Sequence, residues 1–170
     1  MVLFDLGDTL EINNKLREDT IETLSKITEL KDTQGNKPIL ALASDFYHAD
    51  TPEELINLKK QYYDILDGLG IKHFFEPVQK NVVLSSEVGY TKSENPKKFF
   101  QKVIEKNGSI NICEIIFITE NEEHIESAKV LDMSTIHMRF SPANSNEMIH
   151  HQATRLLDTI PLIREFLKNE

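Results

Sequence analysis

Several polar side chains follow short apolar runs in this sequence, and their types suit phosphate chemistry. The polar residues that end such a run, or lie in the loop after one, are Asp5, Asp8, Thr9, Ser44, Asp45, Lys92 and Glu120. A carboxylate can attack phosphorus and form an aspartyl phosphate, and a pair of carboxylates can hold Mg²⁺. Lysine and hydroxyl groups can bind the phosphoryl oxygens as charge builds on them. Each residue alone is more often a turn or cap, so only the set predicts phosphoryl transfer.

Five short apolar runs are predicted to be the strands that position these residues. The runs are 2–4, 39–43, 82–84, 115–118 and a weaker one at 135–138. They are continuous rather than alternating, which indicates strands buried on both faces, as in a parallel sheet. In such sheets ligands bind beyond the carboxyl ends of the strands. The polar residues are therefore expected at one edge of the sheet.

Helical patterns fill the gaps between the runs. Apolar residues recur at helical spacing over 24–30, 55–69, 99–104, 125–131 and 156–167, although Pro161 should kink or split the last pattern. Thr51-Pro52-Glu53-Glu54 is typical of a helix start, with Thr51 as the N-cap and Pro52 at the first helical position. The alternation of strands and helices predicts an α/β fold with right-handed crossovers. The polar segment 141–146 is expected to be a mobile loop.

Composition excludes several classes of protein. The 170 residues are 39% hydrophobic and 28% charged, which predicts one soluble globular domain over 1–170. The formal net charge of −9 disfavours nucleic acid and anionic membranes as partners, and no apolar run is long enough to span a membrane. The single cysteine, Cys113, cannot form an internal disulfide, in agreement with a reducing cytoplasm, and is expected to be buried.

Four segments together resemble the motifs of the haloacid dehalogenase (HAD) superfamily. The segment VLFDLGDTL at 2–10 resembles the first motif, an apolar strand followed by Asp-x-Asp-x-Thr, and LALASD at 40–45 resembles the second, a strand ending in Ser or Thr. SSEVGYTK at 85–92 resembles the third, which supplies a lysine. IFITENEEH at 116–124 occupies the place of the fourth, normally Gly-Asp followed by a further acid. The resemblance runs in the expected order from Val2 to about Met138.

The resemblance implies a fold and a set of roles. The fold would be a Rossmann-like three-layer α/β/α domain with a five-stranded parallel sheet of strand order 5-4-1-2-3, with no substantial cap. The cofactor would be Mg²⁺, and the partner would be a small phosphorylated substrate. Whether the chain forms a homo-oligomer is left open. The implied roles are nucleophile for Asp5, catalytic and phosphate-binding groups for Ser44 and Lys92, a further phosphate contact for Thr9, and metal binding for Asp5, the Gly7 carbonyl and Glu120.

Two positions depart from the family pattern. Gly7 stands where the family has its general acid, and it has no proton to give, while Thr119-Glu120 replaces Gly-Asp. Asp8, Asp45 and His124 are the accessory groups near the site, with Asp8 interpreted as a loop or capping residue and His124 as the histidine to test first. Glu120 has an alternative interpretation, in which its carboxylate caps the following helix.

These departures leave two functions open. The first is a Mg²⁺-dependent phosphohydrolase that works through a phosphorylated Asp5. Loss of a general acid disfavours alkyl phosphates and mutase chemistry, and aryl or acyl phosphates would suffer least. Dehalogenation is disfavoured because that branch carries an aromatic residue where Gly7 stands. The second function is a non-catalytic relative that binds a phosphorylated ligand or a protein partner.

Overall fold

A six-stranded parallel sheet forms the centre of the structure, a computed structural model that describes residues 1–108, 110–140 and 152–168. In chain order the strands are β1 (Val2–Phe4), β2 (Glu11–Ile12), β3 (Lys15–Leu16), β4 (Leu40–Ser44), β5 (Val82–Leu84), β6 (Ile116–Thr119), β7 (Ser134–Met138) and β8 (Gln152–Ala153). The order across the sheet is β5-β4-β1-β6-β7-β8, and every neighbouring pair is parallel. All five predicted apolar runs form strands of this sheet.

The prediction of a five-stranded sheet is wrong, because β8 adds a sixth strand beside β7. The order 5-4-1-2-3 therefore does not describe the whole sheet. A strand of two residues is too short to leave an apolar run in the sequence, so nothing in the local pattern predicts β8. The expected neighbours of β1 are present: it pairs with β4 on one side and with β6 on the other, where Phe4 lies opposite Ile118.

The helices lie in the segments between the strands. They are α1 (Thr20–Ile27), α2 (Pro52–Gly68), α3 (Val78–Asn81), α4 (Ser85–Val88), α5 (Pro96–Lys106), α6 (Glu122–Lys129) and α7 (Thr159–Lys168). The predicted start of α2 is confirmed, since Thr51 caps it and forms a capping box with Glu54. The last pattern divides into a 3₁₀ turn, Leu156–Asp158, and α7, but the division precedes Pro161, which lies in the first turn of α7.

Side chains alternate between two hydrophobic cores, one on each face of the sheet. On β1, Val2 and Phe4 belong to the core that includes Leu24 of α1, Leu66 of α2 and residues of α7. Leu3 belongs to the other core, with residues of α5 and α6. The sheet is thus the middle of three layers, and its central strand is buried on both faces. This arrangement brings the carboxyl ends of β1, β4 and β6 to the same edge.

A small antiparallel hairpin, β2–β3, follows the central strand and lies outside the predicted elements. Its turn is formed by Asn13 and Asn14, both with positive φ, of 53° and 61°. Two successive residues of this kind make the turn that joins a tight hairpin, and Asn tolerates the conformation well. The Asn13-Asn14 pair is therefore the feature of the sequence that indicates this hairpin. The hairpin places Glu11 near the end of β1.

Four other expectations concern the rest of the chain. Cys113 is exposed, so the prediction of a buried thiol is wrong: it lies in a 3₁₀ turn, Ile112–Glu114, before the buried strand begins. None of the helices in the described ranges combines the length and apolarity needed to cross a bilayer. The polar loop at 141–146 lies outside the described residues, and a single capless domain over 1–170 stays a prediction.

Candidate active site

A cavity of about 580 Å³ opens at the carboxyl ends of β1 and β4. Most of the residues singled out in the sequence line it: Asp5, Gly7, Asp8, Ser44, Asp45, Lys92, Glu120 and His124. They come from separate segments of the chain, and the topology of the sheet is what brings them together. The predicted site residues thus lie together around one cavity. Thr9 is outside the cavity lining and contacts Glu120.

The carboxylate of Asp5 lies at the end of β1, where it is nearly inaccessible to solvent and heavily hydrogen-bonded. Its Oδ1 accepts the backbone N–H of Leu6 at 3.0 Å. Its Oδ2 meets Lys92 Nζ at 2.9 Å and His124 Nδ1 at 3.0 Å, and it accepts the Thr119 hydroxyl at 3.3 Å. These contacts fix the orientation of the carboxylate from four directions.

The fully buried side chain of Lys92 reaches the floor of the cavity from the loop between α4 and α5. Besides Asp5, its Nζ donates to the carbonyl of Ala43 at 2.8 Å and lies 3.8 Å from Asp45 Oδ2. The backbone N–H of Lys92 donates to Asp45 Oδ1 at 3.0 Å, which anchors the loop to the end of β4. Burying a lysine without such partners would cost several kcal/mol. The lysine is therefore held in place as a fixed positive charge.

His124 contacts two carboxylates at once, and nothing in the sequence predicts this pair of contacts. It lies in the first turn of α6, with Nδ1 3.0 Å from Asp5 Oδ2 and Nε2 3.1 Å from Asp45 Oδ2. Both ring nitrogens can donate only when the imidazole is protonated. The geometry thus favours an imidazolium clamped between two aspartates.

The pKa values of the cluster follow from burial and charge. Burial alone would raise the pKa of the Asp5 carboxyl, but Lys92 and His124 outweigh it, and the pKa lies below its usual range. Burial likewise raises the pKa of Asp45, yet the bond from His124 and the charge of Lys92 lower it overall. For His124, burial lowers the pKa, and the bonds to Asp45 and Asp5 more than compensate, so the pKa is raised. Two anions thus face two cations on the cavity floor.

Glu120 follows β6 and interacts with Thr9 rather than capping a helix. The Thr9 hydroxyl donates to Glu120 Oε2, and the Glu120 N–H donates to Thr9 Oγ1 at 3.1 Å. The N-cap of α6 is Asn121, whose side chain accepts the Glu123 N–H at 2.9 Å. The capping interpretation of Glu120 is therefore wrong. Thr9, which is fully buried, holds Glu120 in place through these two bonds, and its expected phosphate contact stays a prediction.

The electrostatic environment of Glu120 differs from that of the group formed by Asp5, Asp45, Lys92 and His124. Burial raises the pKa of Glu120, the hydrogen bond from Thr9 opposes this, and the charges of Asp5 and Asp8 raise it further. Repulsion between the carboxylates is thus only partly relieved by the protein's own groups. A cation near Asp5 and Glu120 would lower the energy of both carboxylates.

Ser44 ends β4 and shares a hydrogen bond with Tyr62 at 2.5 Å. Tyr62 lies on α2 and is almost fully buried, and burial raises the pKa of its hydroxyl far above the ordinary value. The phenol therefore stays protonated and can donate to Ser44. The Ser44 hydroxyl is thereby held on the cavity wall, and when Tyr62 is the donor it keeps its own proton for a ligand.

The chain between Asp5 and Thr9 takes an unusual form. Gly7 is exposed, and among the described residues no atom beyond its chain neighbours lies within 4 Å of an ideal Cβ built there. Asp8 has a φ of 54°, and its carbonyl accepts Arg17 Nη2 at 2.6 Å. The Arg17 guanidinium also stacks on the ring of Phe140, 3.3 Å from its centroid. Asp8 is therefore a turn residue that also lines the cavity.

Sequence reasoning missed several residues that complete the site. The sequence presents Tyr62 only as an apolar position on a helix, and Thr119 only as a replacement for the glycine of the fourth HAD motif. Glu11 lines the cavity, and its Oε2 is buried without a hydrogen-bond partner among the described residues. Phe46 and Tyr47 extend the wall after Asp45. For Phe46 and Tyr47 the sequence does indicate a place near the site, because they directly follow a strand end that carries candidate site residues.

Comparison of the fold with solved structures gives matches among HAD proteins. A proposed HAD hydrolase, YfnB from Bacillus subtilis, whose structure holds magnesium, is 14% identical, with 88% of this chain and 57% of that one covered and a TM-score of 0.65. A HAD phosphatase from Thermococcus onnurineus is 17% identical, with 87% and 58% covered and a TM-score of 0.61. This chain thus spans less than three fifths of the length of either protein.

A third similar structure is that of the core domain of a proposed phosphoglycolate phosphatase from Streptococcus pneumoniae. It is 16% identical, with 95% of this chain and 93% of that one covered and a TM-score of 0.58. The chain matches no family model and no curated protein sequence. The comparisons thus show a three-layer fold like that of HAD proteins, at sequence identities too low to carry function with it.

Proposed function

We propose that this protein is a Mg²⁺-dependent phosphohydrolase that acts on a small phosphorylated substrate through an aspartyl phosphate on Asp5. One observation carries the proposal: the Asp5 carboxylate lies on the wall of a ligand-sized cavity and is kept ionised by Lys92 and His124. An ionised carboxylate at that place is suited to attack on phosphorus. The HAD fold of the chain supports the same interpretation.

The proposed reaction has two steps. Among the described contacts, Asp5 Oδ1 accepts only the Leu6 N–H, so it is less heavily hydrogen-bonded than Oδ2 and is the better nucleophile. It forms a bond to phosphorus while the bond from phosphorus to the leaving oxygen breaks, and that oxygen takes its proton from water. A water molecule then attacks the phosphoryl group, releases phosphate and restores Asp5. Lys92 and Ser44 donate to the phosphoryl oxygens in both steps.

The donor groups fit Mg²⁺. Asp5, Gly7 and Glu120 line the same cavity, where the two carboxylates and the Gly7 carbonyl would be the ligands, and hard oxygen ligands of this kind suit that ion. No group of three or more His, Cys, Asp or Glu side chains in the described parts of the chain is arranged to hold a metal. Mg²⁺ commonly binds through one or two carboxylates together with substrate phosphate. When bound, Mg²⁺ would offset the repulsion between the carboxylates and an incoming phosphate.

The test is release of phosphate from a panel that includes acetyl phosphate, phenyl phosphate and glycerol phosphate. Each is measured with Mg²⁺ and with EDTA, and Asp5→Asn is the matched blank because it keeps the shape of the carboxylate and removes its charge. We expect turnover that needs Mg²⁺ and is lost in Asp5→Asn with folding intact. More than a tenth of wild-type activity in Asp5→Asn would remove Asp5 as the nucleophile.

A second function is favoured by a specific observation. Asp5 Oδ2 is bound by both cations of the cluster, and Gly7 offers no proton donor for a leaving group. Such a site could bind a phosphorylated ligand without turning it over. Under this alternative, inorganic phosphate would bind with Lys92-dependent affinity while none of the panel is hydrolysed.

A further inference from the structure

The cavity above Asp5 has room for more than a phosphoryl group. Its volume of about 580 Å³ lies within the range of pockets that enclose whole organic ligands, about 300–1,000 Å³. The phosphate-binding groups proposed above, Ser44 and Lys92, lie at its inner end, where both are buried. The outer part of the cavity is therefore what selects the organic group of the ligand.

One side of this outer part is an aromatic wall formed by Phe46, Tyr47, Tyr62 and Ile65. The ring of Phe46 packs edge-on against Tyr62, with 5.1 Å between centroids, and against Tyr47, with 4.8 Å. The wall runs from buried Tyr62, beside Ser44, outward to Tyr47, which is 69% exposed. Ring contacts through Phe46 thus link Tyr62, beside Ser44, to the exposed ring of Tyr47.

The exposure of this wall is itself informative. Tyr47 and Ile65 are large apolar side chains that remain in contact with solvent while lining a cavity. A flat ring lying against them would bury that surface, and ring contacts of this type are favourable in edge-on and offset geometries. The wall therefore fits an aromatic group better than a polyol.

Part of the cavity is acidic. Asp8 and Glu11 line it, and Glu11 Oε2 is buried without a hydrogen-bond partner in the described ranges. A ligand that carried a second phosphate or a carboxylate would be repelled by these groups. The charge pattern thus accepts one phosphoryl group at the inner end and disfavours further negative charge on the rest of the ligand.

We infer that the ligand is the phosphate monoester of an aromatic group, with its ring against the aromatic wall and its phosphoryl group at Asp5, Ser44 and Lys92. This inference rests on the proposed function for the place of the phosphoryl group. It also agrees with Gly7. In the first step the bond from phosphorus to the ring oxygen breaks, and the phenolate leaves more readily without a proton than an alkoxide does.

Binding of stable phosphonates to the wild-type protein tests the inference without turnover. Phenylphosphonate and methylphosphonate are titrated with Mg²⁺ present and followed by calorimetry or by amide NMR shifts. We expect phenylphosphonate to bind about tenfold more tightly, and phosphonoacetate, which adds a carboxylate, to bind no more tightly than methylphosphonate. Equal affinity for the phenyl and methyl compounds, or no binding of either, would overturn the inference.

Variants of the wall separate ring contact from general effects. Tyr47→Ala and Ile65→Ala should each weaken phenylphosphonate binding severalfold and leave methylphosphonate binding unchanged. Ile56→Ala is the matched control, because Ile56 lies on the same helix as Ile65, is 68% exposed and lies outside the cavity lining. A ring preference that survives in both wall variants would contradict the assigned position.

The two proposals fail in distinguishable ways. Tight, wall-dependent binding of phenylphosphonate without hydrolysis of phenyl phosphate would refute the proposed phosphohydrolase and leave the ligand class standing. Turnover of acetyl phosphate that needs Asp5, combined with no preference for the phenyl compound, would support the hydrolase and overturn the ligand class.

Discussion

Replacing His124 tests whether the imidazole holds the anionic floor of the cavity together. His124→Phe keeps a ring of similar size and removes both bonds, to Asp5 and to Asp45. Hydrogen bonds to charged groups contribute about 1.5–3 kcal/mol each, and less where solvent reaches the partner. Asp5 is buried, whereas the Asp45 side chain is 27% exposed. We therefore expect a loss of about 3 kcal/mol, of which about 2 kcal/mol belongs to Asp5.

His124→Asn is the matched control, because its amide can stand in for Nδ1 at Asp5 but cannot reach Asp45. It should lose only about 1 kcal/mol. Since 1 kcal/mol corresponds to about 2–4 °C in a domain of this size, melting should fall by about 6–12 °C in the Phe variant and about 2–4 °C in the Asn variant. The assay is thermal and urea unfolding in EDTA at about pH 6, where the imidazole is charged. A Phe variant within about 0.5 kcal/mol of wild type would refute the reasoning.

The remaining predictions concern the metal, the missing acid and a buried ion cluster. Mg²⁺ at about 100 times its dissociation constant should stabilise the fold by about 2.7 kcal/mol, and Glu120→Gln should abolish most of the resulting shift in melting temperature; equal losses with and without Mg²⁺ would contradict the metal assignment. Gly7→Asp, at a position with room for a side chain, should raise turnover of alkyl phosphates more than of aryl phosphates, and a uniform change would show that the new acid does not protonate the leaving group. Burial raises the pKa of Glu87, but its bonds to Lys106 and Lys59 outweigh this and lower it from 4.5. The stability that Glu87 contributes over Glu87→Gln should thus be fully present above about pH 4.5 and disappear as pH falls, and a difference that stays constant in acid unfolding curves would exclude this origin.

The strands of the sheet could be predicted because they are buried on both faces. A continuous apolar run such as 2–4 or 116–118, with helical patterns on either side of it, is typical of a strand in a parallel sheet. The elements that were missed bury little: β8 and the hairpin strands have two residues each, too few for any periodicity. Their positions depend on the neighbours that they pair with, which the local sequence does not specify.

The candidate site, like the fold, has features that the sequence predicts and features that it does not. Asp5, Ser44 and Lys92 could be found because strand ends in a parallel sheet meet at one edge. The bonds of His124 depend on how α6 is rotated about its axis, and the choice of Glu120 between a helix cap and Thr9 depends on the path of the chain after β1. Tyr62 has the spacing of a core residue, and it is one, but its hydroxyl meets Ser44 only because α2 packs beside β4. The positions of side chains in the site were thus predictable where the sheet topology alone determines them. The contacts between those side chains were not predictable.

The wide separation in sequence of the groups that meet at Asp5 has a consequence for folding kinetics. Asp5 and His124 are 119 positions apart, Thr9 and Glu120 are 111 apart, and Lys92 and Asp45 are 47 apart. Closing such long loops costs chain entropy before any contact repays it, so these pairings form late and slowly. A folding intermediate in which β1 has joined β4 but not β6 would have much of one hydrophobic core and no assembled site. Ligand binding should therefore be regained only in the slowest refolding phase, after most of the helical signal has returned.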